Sequence, residues 1–234
     1  MTLQEFSDGF TTLLSSHSIL AAFGNPAADI VLDEYEKSLF LTQAQEDIVL
    51  AIYNGSGGIS FEETEEVRRY LSNLVGEETL KPVTSAGDKP IGMESTSRFF
   101  TLPEDLWFIT YESATVGTEK CGNMVVGVQP ITQDEYHKVR KNPFRGATDR
   151  RALRLDLSDG VVEIISKHPV SDYYVRYLKR LQPIILLNLP NELSIRGEQE
   201  EKNCQLHEAL HQKILDRAVL LAIQSKRLPA NSKE

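Results

Sequence analysis

The sequence predicts an α+β protein with an N-terminal helical bundle, a central antiparallel β region containing a hairpin, and a C-terminal helix. Three observations predict it. Apolar residues recur at spacings of three and four through the first 75 residues. Aromatic and β-branched runs separated by turn residues begin at Phe99. Helical spacing returns from Leu206.

Leu3, Phe6, Phe10, Leu13 and Leu14 form the first amphipathic stripe, which Gly24-Asn25-Pro26 breaks. A second helical stretch runs from Asp29 to Leu39. Thr42-Gln-Ala-Gln45 reads as a capping box that opens a further helix through Ile48, Val49, Ile52 and Tyr53, and Asn54-Gly-Ser-Gly-Gly58 stops it. Ser60-Phe-Glu-Glu63 is another such box, leading into a helix with Val67, Leu71, Leu74 and Val75 on one face. Residues 76–98 are rich in Gly, Pro, Thr, Ser and Lys and read as a loop or linker.

Residues 99–190 read as mainly β with one short helix. Leu106-Trp-Phe-Ile-Thr-Tyr111 and Met124-Val-Val-Gly-Val128 are strand-like, and Thr132-Gln-Asp-Glu135 caps a short helix that ends at Asn142-Pro143. Arg151-Ala-Leu-Arg-Leu-Asp-Leu157 alternates at period two. Ser158-Asp-Gly160 then turns it back into Val161–Ile165, a hairpin signature. Tyr173–Leu181 fits strand or helix. Residues 191–228 hold a helix with Leu210, Ile214, Leu215, Ala218, Leu221 and Ala222 at helical spacing, expected to pack back on the bundle, and 229–234 read as a disordered tail.

The chain has 234 residues, 41% apolar and 25% charged, a composition that buries a core without disulfide staples. Its two cysteines, Cys121 and Cys204, form no framework. No apolar run approaches the roughly 18–20 residues of a membrane span, and the N-terminus lacks the basic segment of a secretory signal. A soluble protein with no membrane partner is expected.

The formal charge of −9 argues against general nucleic-acid binding, which needs a basic surplus. That charge is unevenly spread. Residues 1–80 carry 14 acids and 3 bases, whereas Lys138 to Arg154 carries 7 bases and 1 acid. Three readings stay open for the basic segment: a solvated loop beside a strand, a module meeting phosphates, or a surface meeting the acidic part of an identical subunit in a head-to-tail contact. Arg140, Arg145, Arg150 and Arg151 are the candidate interface cations, and Glu62, Glu63 and Glu66 the candidate acidic partners.

Catalytic constellations are sparse. Cys204, His207 and His211 form Cys-x2-His-x3-His, half of a zinc-site pattern, with the two histidines on one helix face. A zinc-dependent or cysteine enzyme is the alternative this supports. The bland reading makes Cys204 a small buried hydrophobe. The Gly55–Gly58 run ends a helix, whereas phosphate-binding loops open one. The Glu62–Glu66 carboxylates share one helix turn and are expected to be solvated. No cofactor is expected.

The order of segments also carries a resemblance. Leu102-Pro-Glu-Asp-Leu106 enters a strand; Val128-Gln-Pro-Ile-Thr-Gln-Asp-Glu-Tyr136 leads to Asn142-Pro-Phe-Arg145. Tyr174-Val-Arg-Tyr-Leu-Lys-Arg-Leu-Gln-Pro-Ile-Ile185 and Cys204-Gln-Leu-His-Glu-Ala-Leu-His211 follow, before Ile214-Leu-Asp-Arg-Ala-Val219. Over residues 29–225 this resembles the head-to-tail adaptor, or ring, proteins of short-tailed bacteriophages, most of all those of crAss-like phages. His207 departs from the Pro expected there. The resemblance implies a non-enzymatic virion protein of the tail or neck, made in the host cytoplasm. It implies a ring, usually dodecameric, of identical subunits docked under the portal and against other tail ring proteins. Genomic DNA would pass through the channel without specific binding. An acidic lumen would let DNA slide, so the 1–80 acidity is expected to line the channel or face a neighbouring subunit.

Overall fold

The structure, a computed structural model, describes residues 1–22, 31–55, 65–83, 95–118, 122–190 and 192–227. In chain order its elements are α1 (Leu3–Ala22), α2 (Glu34–Tyr53), α3 (Glu65–Tyr70), β1 (Val75–Leu80), β2 (Arg98–Thr101), β3 (Leu106–Thr118), β4 (Gly122–Ile131), α4 (Gln133–Arg140), β5 (Arg151–Asp156), β6 (Val161–Ile165), β7 (Val170–Lys179) and α5 (His211–Arg227). The chain divides into two compact units, one of residues 1–74 with 181–234 and one of residues 75–180.

In the helical unit, the first stripe behaves as its spacing predicts: Phe6, Phe10 and Leu14 are buried. The next two expected helices are one. α2 runs unbroken through Thr42, and its N-cap is Asp33, whose Oδ1 accepts from the Glu36 N–H at 2.7 Å while the Asp33 N–H donates to Glu36 Oε2 at 3.3 Å. Asp satisfies an orphan amide as well as Ser or Thr does, so the start is written as Asp33-x-x-Glu36.

The Thr42-Gln-Ala-Gln45 box caps nothing, because these residues serve a tertiary partner. Thr42 Oγ1 accepts from the Ile184 N–H at 3.1 Å and donates to the Ile184 carbonyl at 3.3 Å. Gln45 Nε2 donates to the Gln182 carbonyl at 2.6 Å, and Ser38 Oγ accepts from the Leu186 N–H at 3.0 Å. Ser38, Thr42 and Gln45 are four and three residues apart and so share a helix face. Together they give the extended segment 182–186 the backbone partners a strand neighbour would give. Residues 181–190, expected in the β region, therefore belong to the helical unit.

The helix expected to continue through Val75 ends at Tyr70. A 3-10 turn, Ser72–Leu74, follows, with Leu71 and Leu74 buried. α5 packs on α1 and α2, and Ile214, Leu215, Ala218, Val219 and Ala222 of its stripe are buried, as is Leu210 in the 3-10 turn just before it. The expected box at Ser60–Glu63, the break at Gly24–Pro26, the end of the glycine-rich stop at Ser56–Gly58 and the tail lie outside the described residues.

The second unit is a seven-stranded sheet in the order β1-β7-β3-β4-β5-β6-β2. Every pair is antiparallel except β4 with β5, which are parallel because α4 carries the chain back between them. The expected loop over 76–98 is strand at Val75–Leu80. That edge strand is Glu77-Glu78 at its centre and hides its pairing from a periodicity search, since its partner is the backbone of β7. Tyr173–Leu181, open between helix and strand in the sequence, is strand as far as Lys179. The β5–β6 hairpin turns through Asp159 (φ 56°) and Gly160 (φ 69°), two consecutive left-handed residues that match the twist of paired strands.

One face of this sheet is apolar across all seven strands, with Leu80, Phe100, Ala114, Val126, Ala152, Val162 and Val175 buried there. The sheet covers that face by closing on itself. Beyond β1, the Val83 N–H donates to the Phe99 carbonyl of β2 at 2.8 Å, joining the two edges. Phe100 and Tyr173, from strands far apart in the order, bring their ring centroids to 5.4 Å. Register shifts along β3 between Leu106 and Phe108, Ile109 and Tyr111, and Thr115 and Val116 supply bends of the kind closure needs. On the outer face, Tyr136 and Val139 of α4 pack on Leu153, Leu155 and Ile165.

Candidate assembly interface

α4 has Asp134 and Glu135 in its first turn and His137, Lys138 and Arg140 in its last, each sign at the helix end that favours it. Thr132 is its N-cap residue by backbone geometry, but its hydroxyl accepts no capping hydrogen bond, so the expected box is not formed. After Lys141 the chain folds tightly. The Phe144 N–H donates to Asn142 Oδ1 at 2.9 Å, and the Arg145 and Gly146 N–H groups donate to the Asn142 carbonyl at 3.2 and 2.8 Å. A side chain at Gly146 would bring Cβ to 3.0 Å from the Asn142 carbonyl and 3.1 Å from that of Val139, so any larger residue would have to push this backbone aside.

Arg151 locks this loop from β5. Its Nη2 donates to the Phe144 carbonyl at 2.6 Å and to the Gly146 carbonyl at 2.8 Å, and its Nε donates to Gly146 at 3.1 Å. Arg151 is therefore a half-buried loop fastener, with its guanidinium engaged inside its own chain. Arg154 likewise turns inward to an ion pair with Glu112. Five of the seven cations counted in the segment stay on the surface: Lys138, Arg140, Lys141, Arg145 and Arg150. Asp149, the segment's single acid, faces His168 at 3.0 Å and Lys167 at 4.0 Å.

The loop does one thing no pattern in the sequence announced. It holds Phe144 outward at 84% exposure, in a segment where Arg145 and Arg150 are also exposed. The only hint was an aromatic residue without helical or strand partners, placed between Pro143 and Arg145. At α4, a cavity of about 220 Å³ is lined by Arg140, Lys167, Thr96 and Ser166 with Tyr136 and Leu153.

On the acidic side, Glu62 and Glu63 lie outside the described residues. Glu66 is exposed and accepts from the Tyr70 hydroxyl one turn on, which pushes the phenol pKa up. In α2 the carboxylates are mostly held: Glu34 by Lys37 at 2.7 Å, Asp47 by Arg217 at 2.6 Å, and Glu46 by Arg196. A cleft of about 840 Å³ opens along α2, lined by Glu36, Leu39, Phe40, Gln43 and Glu46 and, from the later segment, by Ser194, Ile195, Arg196 and Ser225.

The zinc-site reading of Cys204, His207 and His211 is overturned by geometry. Cys204 Sγ faces Gln45 Oε1 at 4.0 Å, and burial pushes its thiol pKa up, the reverse of an activated thiolate. His207 Nδ1 accepts from the Ala209 N–H at 3.2 Å, and its ring lies against Tyr70. His211 is committed at both nitrogens, Nδ1 with the Met1 amine at 2.8 Å and Nε2 with the Leu206 carbonyl at 3.1 Å. Among the described residues no three His, Cys, Asp or Glu side chains are placed to hold a metal ion, and no helix is long and apolar enough to cross a membrane.

The structure thus presents a pinned basic loop with an aromatic tip, and a helical unit rich in carboxylates. Comparison with known proteins places the chain among relatives. Ring protein 3 of Bacteroides phage crAss001 is 46% identical over 240 residues, with 100% of each chain covered. Ring protein 4/5 of the same phage is 32% identical over 237 residues, covering 95% of this chain and 92% of the relative. The chain belongs to the phage tail ring protein 3/4 family, whose model matches residues 1–234.

Proposed function

We propose that this chain is a structural virion protein that assembles with identical copies into a ring, docks in the tail below the portal, and prolongs the channel through which genomic DNA leaves. It acts through surfaces and turns over no substrate. The observation that carries the reading is the segregation of charge. The helical part of the chain holds most of the 14 acids of residues 1–80, and the end of α4 with the loop after it exposes Arg140, Arg145 and Arg150. Opposite charges on separate parts of one subunit favour a head-to-tail contact, which closes into a ring when the rotation per subunit allows it.

In such a ring, dodecameric by the resemblance, the 1–80 acidity lines the channel or meets a neighbouring subunit, with Glu66, Glu62 and Glu63 among the candidates. Like charge keeps DNA from adhering to the wall. The β unit and the chain ends reach the portal and adjoining rings.

Negative-stain imaging of the full chain, alone and mixed with the portal, tests this directly. Rings with an electronegative bore are expected. Monodisperse monomers in both preparations, or a basic bore in the assembled ring, would overturn the reading. Reversing Arg145 and Arg150 to Glu is expected to weaken assembly and flatten its salt dependence.

A further inference from the structure

We propose that Phe144 anchors the contact between neighbouring copies, and that its socket is the cleft along α2 of the next copy. The proposal rests on the ring reading above and names the surfaces that meet.

Burying an exposed phenyl group is favourable roughly in proportion to the apolar area it removes from water. Phe144 is 84% exposed, so nearly all of that gain is still to be realised. Its loop is already fastened by Asn142 and by the Arg151 guanidinium, so docking costs little ordering entropy. Aromatic side chains of this kind, seated in a pocket at the centre of a contact, carry most of an interface's energy.

The surroundings of Phe144 define the partner's chemistry. Arg145 adjoins it in the chain, and Lys138, Arg140, Lys141 and Arg150 of the same segment are exposed as well. The matching surface is therefore apolar at its centre and acidic at its rim. The α2 cleft offers both kinds of group: Leu39, 40% exposed, and Phe40 are apolar lining, and Glu36 and Glu46 are carboxylates, the latter paired with Arg196 of the same cleft. α2 with its cap carries Asp33, Glu34, Glu36, Glu46 and Asp47 against Lys37 alone, five acids to one base. Much of that charge is already ion-paired within the chain, so electrostatics orient the approach while the phenyl group supplies affinity. A nucleic acid would satisfy the arginines and leave the phenyl group and the α2 cleft unused, which favours a second copy.

The test uses the full chain with Cys121→Ser and Cys204→Ser, adding Arg145→Cys and Gln43→Cys, so that Phe144 stays in place. Gln43 is exposed and lines the cleft. A short bismaleimide is expected to produce a ladder of covalent multimers that neither single-cysteine variant produces. Phe144→Ala, with unchanged melting temperature, is expected to raise the concentration needed for assembly about thirty-fold, and Phe144→Leu less. Rings without a ladder, or cross-linking confined to single chains, would overturn the socket and leave the ring reading standing. Loss of DNA retention with assembly unchanged in Phe144→Ala would overturn it in favour of a nucleic-acid contact. Absence of rings with or without portal would remove both.

Discussion

Arg154 donates to Glu112 at 2.8 Å inside the closed sheet, with only 11% and 8% of the two side chains exposed. The Tyr173 hydroxyl donates to the same carboxylate oxygen at 2.6 Å, and Arg154 Nε reaches Asp156 at 2.8 Å. Burial pushes the Glu112 pKa up, while Tyr173 and Arg154 pull it part of the way back. Desolvation, the largest single influence, would lower the Arg154 pKa, but Glu112, Tyr173 and Asp156 together outweigh it and push it up. β3 and β5 do not pair with each other in this sheet, so the ion pair is a tie across β4.

Removing one member strands the other in a poorly solvated site. Glu112→Ala or Arg154→Ala is expected to lower unfolding stability by about 3–5 kcal/mol, whereas replacing both by apolar side chains of similar volume costs far less. Urea denaturation of the two single variants and the double variant checks this. Additive losses would show that the pair is not coupled.

Thr42→Val keeps shape and deletes both hydrogen bonds to Ile184. The Ile184 N–H and carbonyl are then buried without that partner, at an expected cost of about 1–3 kcal/mol. Thr42→Ser, which keeps the hydroxyl, is expected to recover most of it. Equal losses in both variants would point to the methyl group instead.

Arg151→Lys keeps the charge and loses the fork that spans two carbonyls. The expected result is a loss of about 1–2 kcal/mol and faster amide exchange over residues 144–148, with the rest of the sheet unchanged. Exchange rates equal to those of the parent chain would mean that Asn142 and Gly146 hold the loop unaided.

His211 has a pKa below its ordinary value of 6.5, chiefly through burial, with the Leu206 carbonyl opposing and the Met1 amine adding to the depression. Glu208 acts to raise it and His207 to lower it. The unfolded chain therefore takes up a proton first as pH falls. The stability this group contributes is present above about pH 6.5 and is lost as pH falls through the folded-state value. Urea midpoints from pH 8 to 5 are expected to decline more steeply for the parent chain than for His211→Gln. Parallel curves would show that His211 is not the group involved.

Much of the fold was legible because its signals are local. The Phe6–Phe10–Leu14 stripe and the α5 stripe need only a 3.6-residue period, and the Asp159-Gly160 turn needs only two residues able to take positive φ. The α2 start is also legible, in Asp33-x-x-Glu36, but Thr42-Gln-Ala-Gln45 has the same grammar within a continuing apolar pattern and competes with it. A box states that an amide can be capped, and says nothing of whether the chain ends there.

Of the candidate interface, charge asymmetry came from composition, and direction came from folding. Within residues 138–154, Arg151 and Arg154 look identical to Arg145 and Arg150 in a sequence, yet the first two turn to carbonyls and a carboxylate and the last two turn to solvent.

The sequence alone determined the α1 and α5 stripes, the β5–β6 hairpin and where charge accumulates, and it spells out no catalytic signature. Only the tertiary structure decided that β1 exists as an edge strand, that Ser38, Thr42 and Gln45 serve a segment more than 130 positions away, that the sheet closes through Val83 and Phe99, and that Phe144 is left outside. The reason is physical. Periodicity encodes which side of an element faces a core, whereas a polar group's role depends on which partner the folded chain brings within hydrogen-bonding distance.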